Sequence, residues 1–164
     1  MNGIYLITGG NTGDRIYYLE QARMAIQERI GEILKSSCLY ETSSWGKTDE
    51  SAYLNQVLRV STTLTPAELL QTCLDIEKNL GRIRSQKWAA RTIDIDILFY
   101  HDEIVDQPKL HIPHPHITER RFVLVPLAEI AGGEIHPVYH KTMNQLLAEC
   151  KDPLDVRPFH LSNQ

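Results

Sequence analysis

The sequence predicts an α+β fold, a mainly antiparallel sheet flanked by helices, entered in the order strand, helix, strand, strand, helix, strand. Three observations lead there. Short apolar or alternating runs bounded by glycine and polar loops read as strands. Two longer segments repeat apolar residues at helical spacing. The 164 residues, 42% of them apolar and 23% charged, suit one domain with a sizeable core.

The first run, "YLITGG" (5–10), is a short apolar strand ending in glycines. A helix follows over about 14–29, where Leu19, Ala22, Ile26 and Ile30 recur on one face. Between them, in "TGGNTGD", Gly9, Gly10 and Gly13 do not match the GxGxxG dinucleotide spacing, and a tight strand-to-helix turn is the better reading. "EILKSSCLYET" (32–42) reads as a second strand, and the polar "SSWGKTDES" (43–51) as a loop. "YLNQVLRVST" (53–62) alternates: Leu54, Leu58 and Val60 face one way, Tyr53, Asn55 and Arg59 the other.

The next segment, "TPAELLQTCLDIEKNLG", opens with Thr65 as N-cap, Pro66 at the first helical position and Glu68 completing a capping box. Leu69, Cys73, Ile76 and Leu80 form its buried stripe, and Gly81 is the expected stop. The loop "RIRSQKWAAR" leads into the strand "TIDIDILFY". This order is the split βαβ, ferredoxin-like βαββαβ pattern. From about 101 the chain adds an extension. It holds a short hairpin within 101–112, a Pro/His-rich turn "HIPHPHI", a helix reaching about Ile130 and a last helix over 142–149. Pro126 is expected at a boundary or kink of the third helix.

Composition excludes several classes. A net charge of −4 argues against a general polyanion binder, so any basic function must be local. No apolar run is long enough to span a bilayer, and "MNGIYLITGGN" lacks the basic start and apolar core of a signal peptide. Cys38, Cys73 and Cys150 lie far apart, which reads as reduced thiols in a cytoplasmic protein, with Cys73 in the core.

"ARTIDIDILFY" (90–100) carries Asp94 and Asp96 inside an otherwise apolar strand. They project from one face, roughly 6.5–7 Å apart, with Ile93, Ile95 and Ile97 on the other. Two carboxylates so placed repel each other. Solvation or ion pairs with Arg82, Arg84, Lys87 and Arg91 just upstream would relieve this. So would a divalent cation: Mg2+ takes hard oxygen ligands, keeps waters and is held by one or two carboxylates plus substrate phosphates. The arginines would then clamp phosphate oxygens, with Trp88 stacking. In "HIPHPHITERR", His111, His114 and His116 raise a zinc site, but the neighbouring Arg120 and Arg121 favour phosphate contacts over a cation. These residues point to a Mg2+-dependent nucleoside polyphosphate site and leave the acceptor open. An RNA-binding module and a retired nucleotide sensor are the competing classes; the aspartates argue against the first and the complete set of charged groups against the second.

"RTIDIDIL", preceded by "GRIRSQKWAA" and followed by "IPHPHITERRFVLVPLAEIA", resembles the 6-hydroxymethyl-7,8-dihydropterin pyrophosphokinase family of folate biosynthesis. The similarity continues in "GGNTGDR", "YETSSWG" and "YLNQV" and covers nearly the whole chain, in the family's order. The resemblance implies one pyrophosphokinase domain over 1–164, a monomer with no nucleic-acid or membrane partner. It implies transfer of the β,γ-pyrophosphoryl group of ATP to the pterin hydroxymethyl oxygen, leaving AMP, with two Mg2+ ions held by Asp94 and Asp96. Arg82 and Arg91 match catalytic-loop arginines. Glu77, Arg84, Trp88, His114 and Arg120 match ATP-side positions. Asn55 matches an amide on the pterin ring, Tyr53 and Phe122 the aromatics around it, and Thr42 a residue at its edge. Ser44 and Ala90 stand where the family commonly has proline, which leaves those loops more flexible in the unbound chain. Gly10 replaces a usual serine, and His116 a usual arginine or tyrosine.

Overall fold

The computed structural model describes residues 1–43, 52–81 and 92–161. Its strands and helices run β1 (Ile4–Gly10), α1 (Arg15–Arg29), β2 (Ile33–Ser36), β3 (Leu39–Thr42), β4 (Tyr53–Val60), α2 (Pro66–Gly81), β5 (Asp94–Tyr100), β6 (Val105–Gln107), β7 (Leu110–Ile112), α3 (Arg121–Ala131), α4 (Met143–Glu149) and β8 (Val156–Phe159). The main sheet has the order β5-β1-β4-β3-β8, with β2 also pairing β4; β6 and β7 form a separate hairpin. All these pairings are antiparallel. The first five expected elements and the strand of the two aspartates thus take the ferredoxin-like arrangement.

The sheet lies between two helical layers. Ile4 and Leu6 of β1 pack with Leu19, Ala22 and Ile26 of α1 and Leu69, Cys73 and Ile76 of α2. Tyr5 and Ile7 face the other way, onto Val123, Leu124 and Leu127 of α3 and Met143 and Leu146 of α4. A strand covered on both faces reads as a continuous apolar run, as "IYLI" does. Burial pushes the Cys73 thiol up to about 12, with the Glu77 and Asp96 carboxylates adding to the effect, so it is a neutral core group. No helix of the described residues is long and apolar enough to cross a membrane.

Asp14, which is not singled out in the sequence, caps α1 by accepting from the Tyr17 amide at 3.0 Å. Local signals read from the sequence form as expected. Thr65 and Glu68 exchange the two hydrogen bonds of a capping box at the start of α2. Gly13, in the β1–α1 turn, has φ 64°, a conformation glycine adopts without strain.

The structure adds to or departs from the expected elements at three points. Residues 32–42 form two strands, not one. Ser36 pairs with Leu58 and Tyr40 with Asn55, so four steps on this side span three on β4, a bulge. Ser37 sits at the bulge, where its hydroxyl accepts from the Val57 amide at 3.0 Å and donates to the Cys38 carbonyl at 2.7 Å. Glu129 of α3 then accepts from the Cys38 amide at 2.9 Å and the Tyr40 hydroxyl at 2.5 Å. Second, Pro126 lies in the interior of α3. Interior proline costs about 3 kcal/mol. Burial of Val123, Leu124 and Leu127, at about 1.5–3 kcal/mol each, outweighs it. Third, β8 is an additional strand that the sequence does not announce. It is short, contains Pro158 and lies at the sheet edge, where a proline is tolerated.

His136 is 2% exposed, and its Nδ1 accepts from the Val138 and Tyr139 amides at 3.1 and 3.3 Å. Burial, followed by the N-terminal ammonium and His140, pulls its pKa down to about 4. Between about pH 6.5 and 4 the unfolded chain therefore binds the proton that the folded chain refuses, and stability falls as pH falls through that window. The urea midpoint is expected to be lower at pH 5 than at pH 7.5, and the drop to shrink in His136→Asn, which keeps an acceptor for the turn. A midpoint that rises on acidification contradicts this.

Candidate functional site

Sheet register puts the site together. Gly9 of β1 pairs with Asn55 of β4 on one side and Asp94 of β5 on the other; Tyr40 of β3 extends the row beyond Asn55. Ile7 likewise lies between Val57 and Asp96. Tyr53 pairs with Thr42 at the next step along β4. Residues far apart in sequence thus share one face of one end of the sheet. The start of α3 covers that face with Phe122 and Val123.

A cavity of about 560 Å³ opens there. Its wall carries eight of the nine described residues expected at the site: Thr42, Tyr53, Asn55, Asp94, Asp96, His114, Arg120 and Phe122. Glu77 is the exception. It stands on α2, and its carboxylate accepts from the Ile95 amide at 2.6 Å, fixing the backbone between the two aspartates. Arg82, Arg84, Trp88 and Arg91, and with them Ser44 and Ala90, lie outside the described residues.

The acidic side of the cavity explains the charged strand. β5 buries Ile95, Ile97 and Leu98, while Asp94 is half-buried and Asp96 exposed. Strand alternation turns both carboxylates out of the layer that Ile93, Ile95 and Ile97 fill with α1 and α2.

The opposite side carries polar groups whose hydrogen-bonding capacity is underused. Asn55 is 8% exposed, and its Nδ2 reaches the Thr8 carbonyl only at 3.4 Å, a long and weak bond. The Thr42 hydroxyl is buried and has no hydrogen-bond partner among the described residues. An unsatisfied buried polar atom costs about 1–3 kcal/mol. One unsatisfied hydroxyl and one weakly bonded amide on the same cavity wall leave hydrogen-bonding capacity open toward the cavity. Tyr53, 40% exposed, and half-buried Phe122 supply aromatic surface beside them.

Gly9 keeps this space open. A Cβ there would stand 2.0 Å from the Asn55 Nδ2. The sequence marked Gly9 only as part of a turn, so its role in the cavity came from the register.

The basic side is built on the turn after β7. His114 is fixed by its amide to the Leu98 carbonyl at 3.0 Å, and its Nδ1 accepts from the His116 amide at 3.2 Å. The proton therefore sits on Nε2. Burial, then Arg120 and His116, lowers its pKa to about 4, so it is a neutral donor at pH 7. The Arg120 guanidinium lies 5.8 Å from the centre of the Phe122 ring, a cation–π contact. The other two histidines pair with carboxylates: His111 with Asp106 at 3.0 Å and His116 with Glu119 at 3.2 Å.

Sequence reasoning missed several liners. Ile7, Leu98 and Val123 are apolar residues whose cavity role depends on register, and Leu154 comes from the tail.

Comparison with known proteins places the chain in a family. The family model described as 7,8-dihydro-6-hydroxymethylpterin-pyrophosphokinase (HPPK) matches residues 5–132. The 2-amino-4-hydroxy-6-hydroxymethyldihydropteridine pyrophosphokinase of Aquifex aeolicus is 42% identical over 159 residues, covering 97% of this chain and 96% of that protein. The Bacillus subtilis protein of the same name is 42% identical over 132 residues, 79% of each chain. The Folic acid synthesis protein fol1 of Pneumocystis carinii is 40% identical over 155 residues, but this chain covers only 21% of it. In the solved Plasmodium falciparum HPPK-DHPS with pterin and p-hydroxybenzoate, the likeness is one of fold: TM-score 0.73 at 20% identity, over 90% of this chain and 43% of that one. By its family match and by these identities over most of its length, the chain belongs to the 7,8-dihydro-6-hydroxymethylpterin-pyrophosphokinase family.

Proposed function

We propose that this chain is a single pyrophosphokinase domain that transfers the β,γ-pyrophosphoryl group of ATP to 6-hydroxymethyl-7,8-dihydropterin, acting as a monomer in the cytoplasm. The observation that supports this best is the row Asn55–Gly9–Asp94. It sets a hydrogen-bonding amide for a flat heterocycle and a carboxylate for phosphate chemistry on one cavity wall.

The pterin is assigned to the polar and aromatic side. Tyr53 and Phe122 offer ring faces for stacking. The Asn55 amide can both donate and accept at the ring's rim, and Thr42 adds a further polar group. A site that pairs those rim groups rejects analogues lacking them. The nucleotide is assigned to the other side, with His114 as a neutral donor and Arg120 as a fixed cation. Glu77, Arg84 and Trp88 are assigned there by resemblance.

Asp94 and Asp96 fit magnesium. Among the described residues no set of three His, Cys, Asp or Glu side chains converges on a metal site. Two carboxylates with water and substrate phosphates completing the shell is the arrangement magnesium uses in phosphoryl-transfer enzymes. Two Mg2+ ions there would neutralise the triphosphate and lower the charge barrier to the incoming oxygen.

The reaction forms a bond from the hydroxymethyl oxygen to the β-phosphorus and breaks that phosphorus's bond to the oxygen bridging the α-phosphate. AMP leaves and the hydroxyl proton is released. Such a transfer needs positioning and charge stabilisation more than covalent help. Arg82 and Arg91 are assigned to the phosphates in transit. Asn55 and the two aromatics hold the hydroxymethyl arm toward the carboxylates.

Incubation of protein, ATP, Mg2+ and the hydroxymethyl pterin is expected to yield AMP rather than ADP, with none formed in EDTA. Asp94→Ala and Asp96→Ala are each expected to lower kcat by about 10²- to 10³-fold, as losing a charge-stabilising group does, with pterin binding largely retained. Near-normal turnover in either variant refutes the metal role. Gly9→Ala displaces the Asn55 amide. It is expected to raise the pterin KM by about tenfold or more, equivalent to at least one charge-free hydrogen bond, while the ATP KM stays. An unchanged pterin KM contradicts the assignment of Asn55.

A further inference from the structure

The family match ends at residue 132, yet one wall of the cavity comes from well beyond it, at Leu154. Leu154 is half-buried and belongs to neither of the two apolar layers of the core. Apolar surface left against water gains nothing for the fold. A leucine that turns to a cavity rather than to a core is accounted for by an apolar surface that binds there.

The position of Leu154 is fixed from two directions. The Asp152 carboxylate accepts from the Arg121 amide through Oδ2 at 2.9 Å and from the Leu154 amide through Oδ1 at 3.0 Å. One side chain thus ties the tail to the first residue of α3, next to Phe122. Two residues after Leu154 the chain joins the sheet, where Val156 pairs with Thr42 of β3. Leu154 is held between the start of α3 and the end of β3, which carry Phe122 and Thr42, two of the residues assigned to the pterin.

Building on the pterin assignment above, we propose that Leu154 is a specificity-determining residue for that substrate and Asp152 the positioning residue that keeps it in place. The leucine packs against the ring and closes the cavity beside Phe122. It desolvates an apolar part of the heterocycle, while Asn55 and Thr42 serve the polar rim. Asp152 does not line the cavity and acts only through the two amides it binds.

The test is a binding titration of 6-hydroxymethylpterin, followed by its fluorescence, alongside one of the non-hydrolysable analogue AMPCPP. Leu154→Val is expected to weaken pterin binding about threefold, and Leu154→Ala about thirtyfold, in line with the one and the three carbons removed, with AMPCPP affinity unchanged. Leu154→Met, which keeps the volume, restores binding to near the natural value. Asp152→Ala weakens the pterin and not the nucleotide. Equal pterin affinity in a folded Leu154→Ala, or equal loss of both ligands, overturns the proposal; should that variant not fold, Leu154→Val decides by the same criteria. A natural chain that neither binds the pterin nor forms AMP overturns the assigned reaction instead, so the two failures are distinguishable.

Discussion

The antiparallel pairing of β1 with β4 on one side and β5 on the other is the constraint on which the site depends. It sets Gly9 between Asn55 and Asp94, and Ile7 between Val57 and Asp96. Side chains alternate along a strand, so a slip of one residue would turn both aspartates into the apolar layer under α1 and α2. Burying two charges there would cost far more than any core contact returns. The same pairing buries Ile4, Leu6, Leu54 and Leu58 on the far face. Core packing and site geometry therefore specify one register, and the fold cannot satisfy one without the other.

Around this row the cavity divides by chemistry. Its acidic edge lies on the outermost strand, β5, where the carboxylates can reach ions and phosphates. Its polar and aromatic side lies deeper, on β3 and β4, where hydrogen bonds to a ligand gain from exclusion of water. Supporting residues hold each part from behind. Glu77 binds the backbone between the aspartates, Glu129 anchors the bulge that leads into β3, and Asp152 ties the tail to α3. None of these three lines the cavity.

Much of this was legible in the residues. Alternation in "YLNQVLRV" placed Tyr53 and Asn55 opposite the leucines, and the capping box of "TPAE" fixed the start of α2. The apolar strand with two aspartates announced a charged site, because an isolated carboxylate is rarely tolerated in such a run. Other features depend on contacts between distant segments and leave no local mark. The break at Ser37 arises because a hydroxyl replaces a ladder bond, and a serine in a strand does not announce that. β8 forms only because β3 offers an edge. Gly9 reads as a turn glycine until its neighbour Asn55 is known, and Pro126 is tolerated inside α3 because burial of its neighbours exceeds its cost.

The most direct test of the central claim is a crystal structure of the protein with Mg2+, AMPCPP and the hydroxymethyl pterin. The account predicts magnesium bound to carboxylate oxygens of both Asp94 and Asp96 at about 2.0–2.1 Å, with the pterin between Tyr53 and Phe122 and bonded to Asn55. Magnesium held by other groups, or the ring lying away from the Asn55–Gly9–Asp94 row, would contradict it.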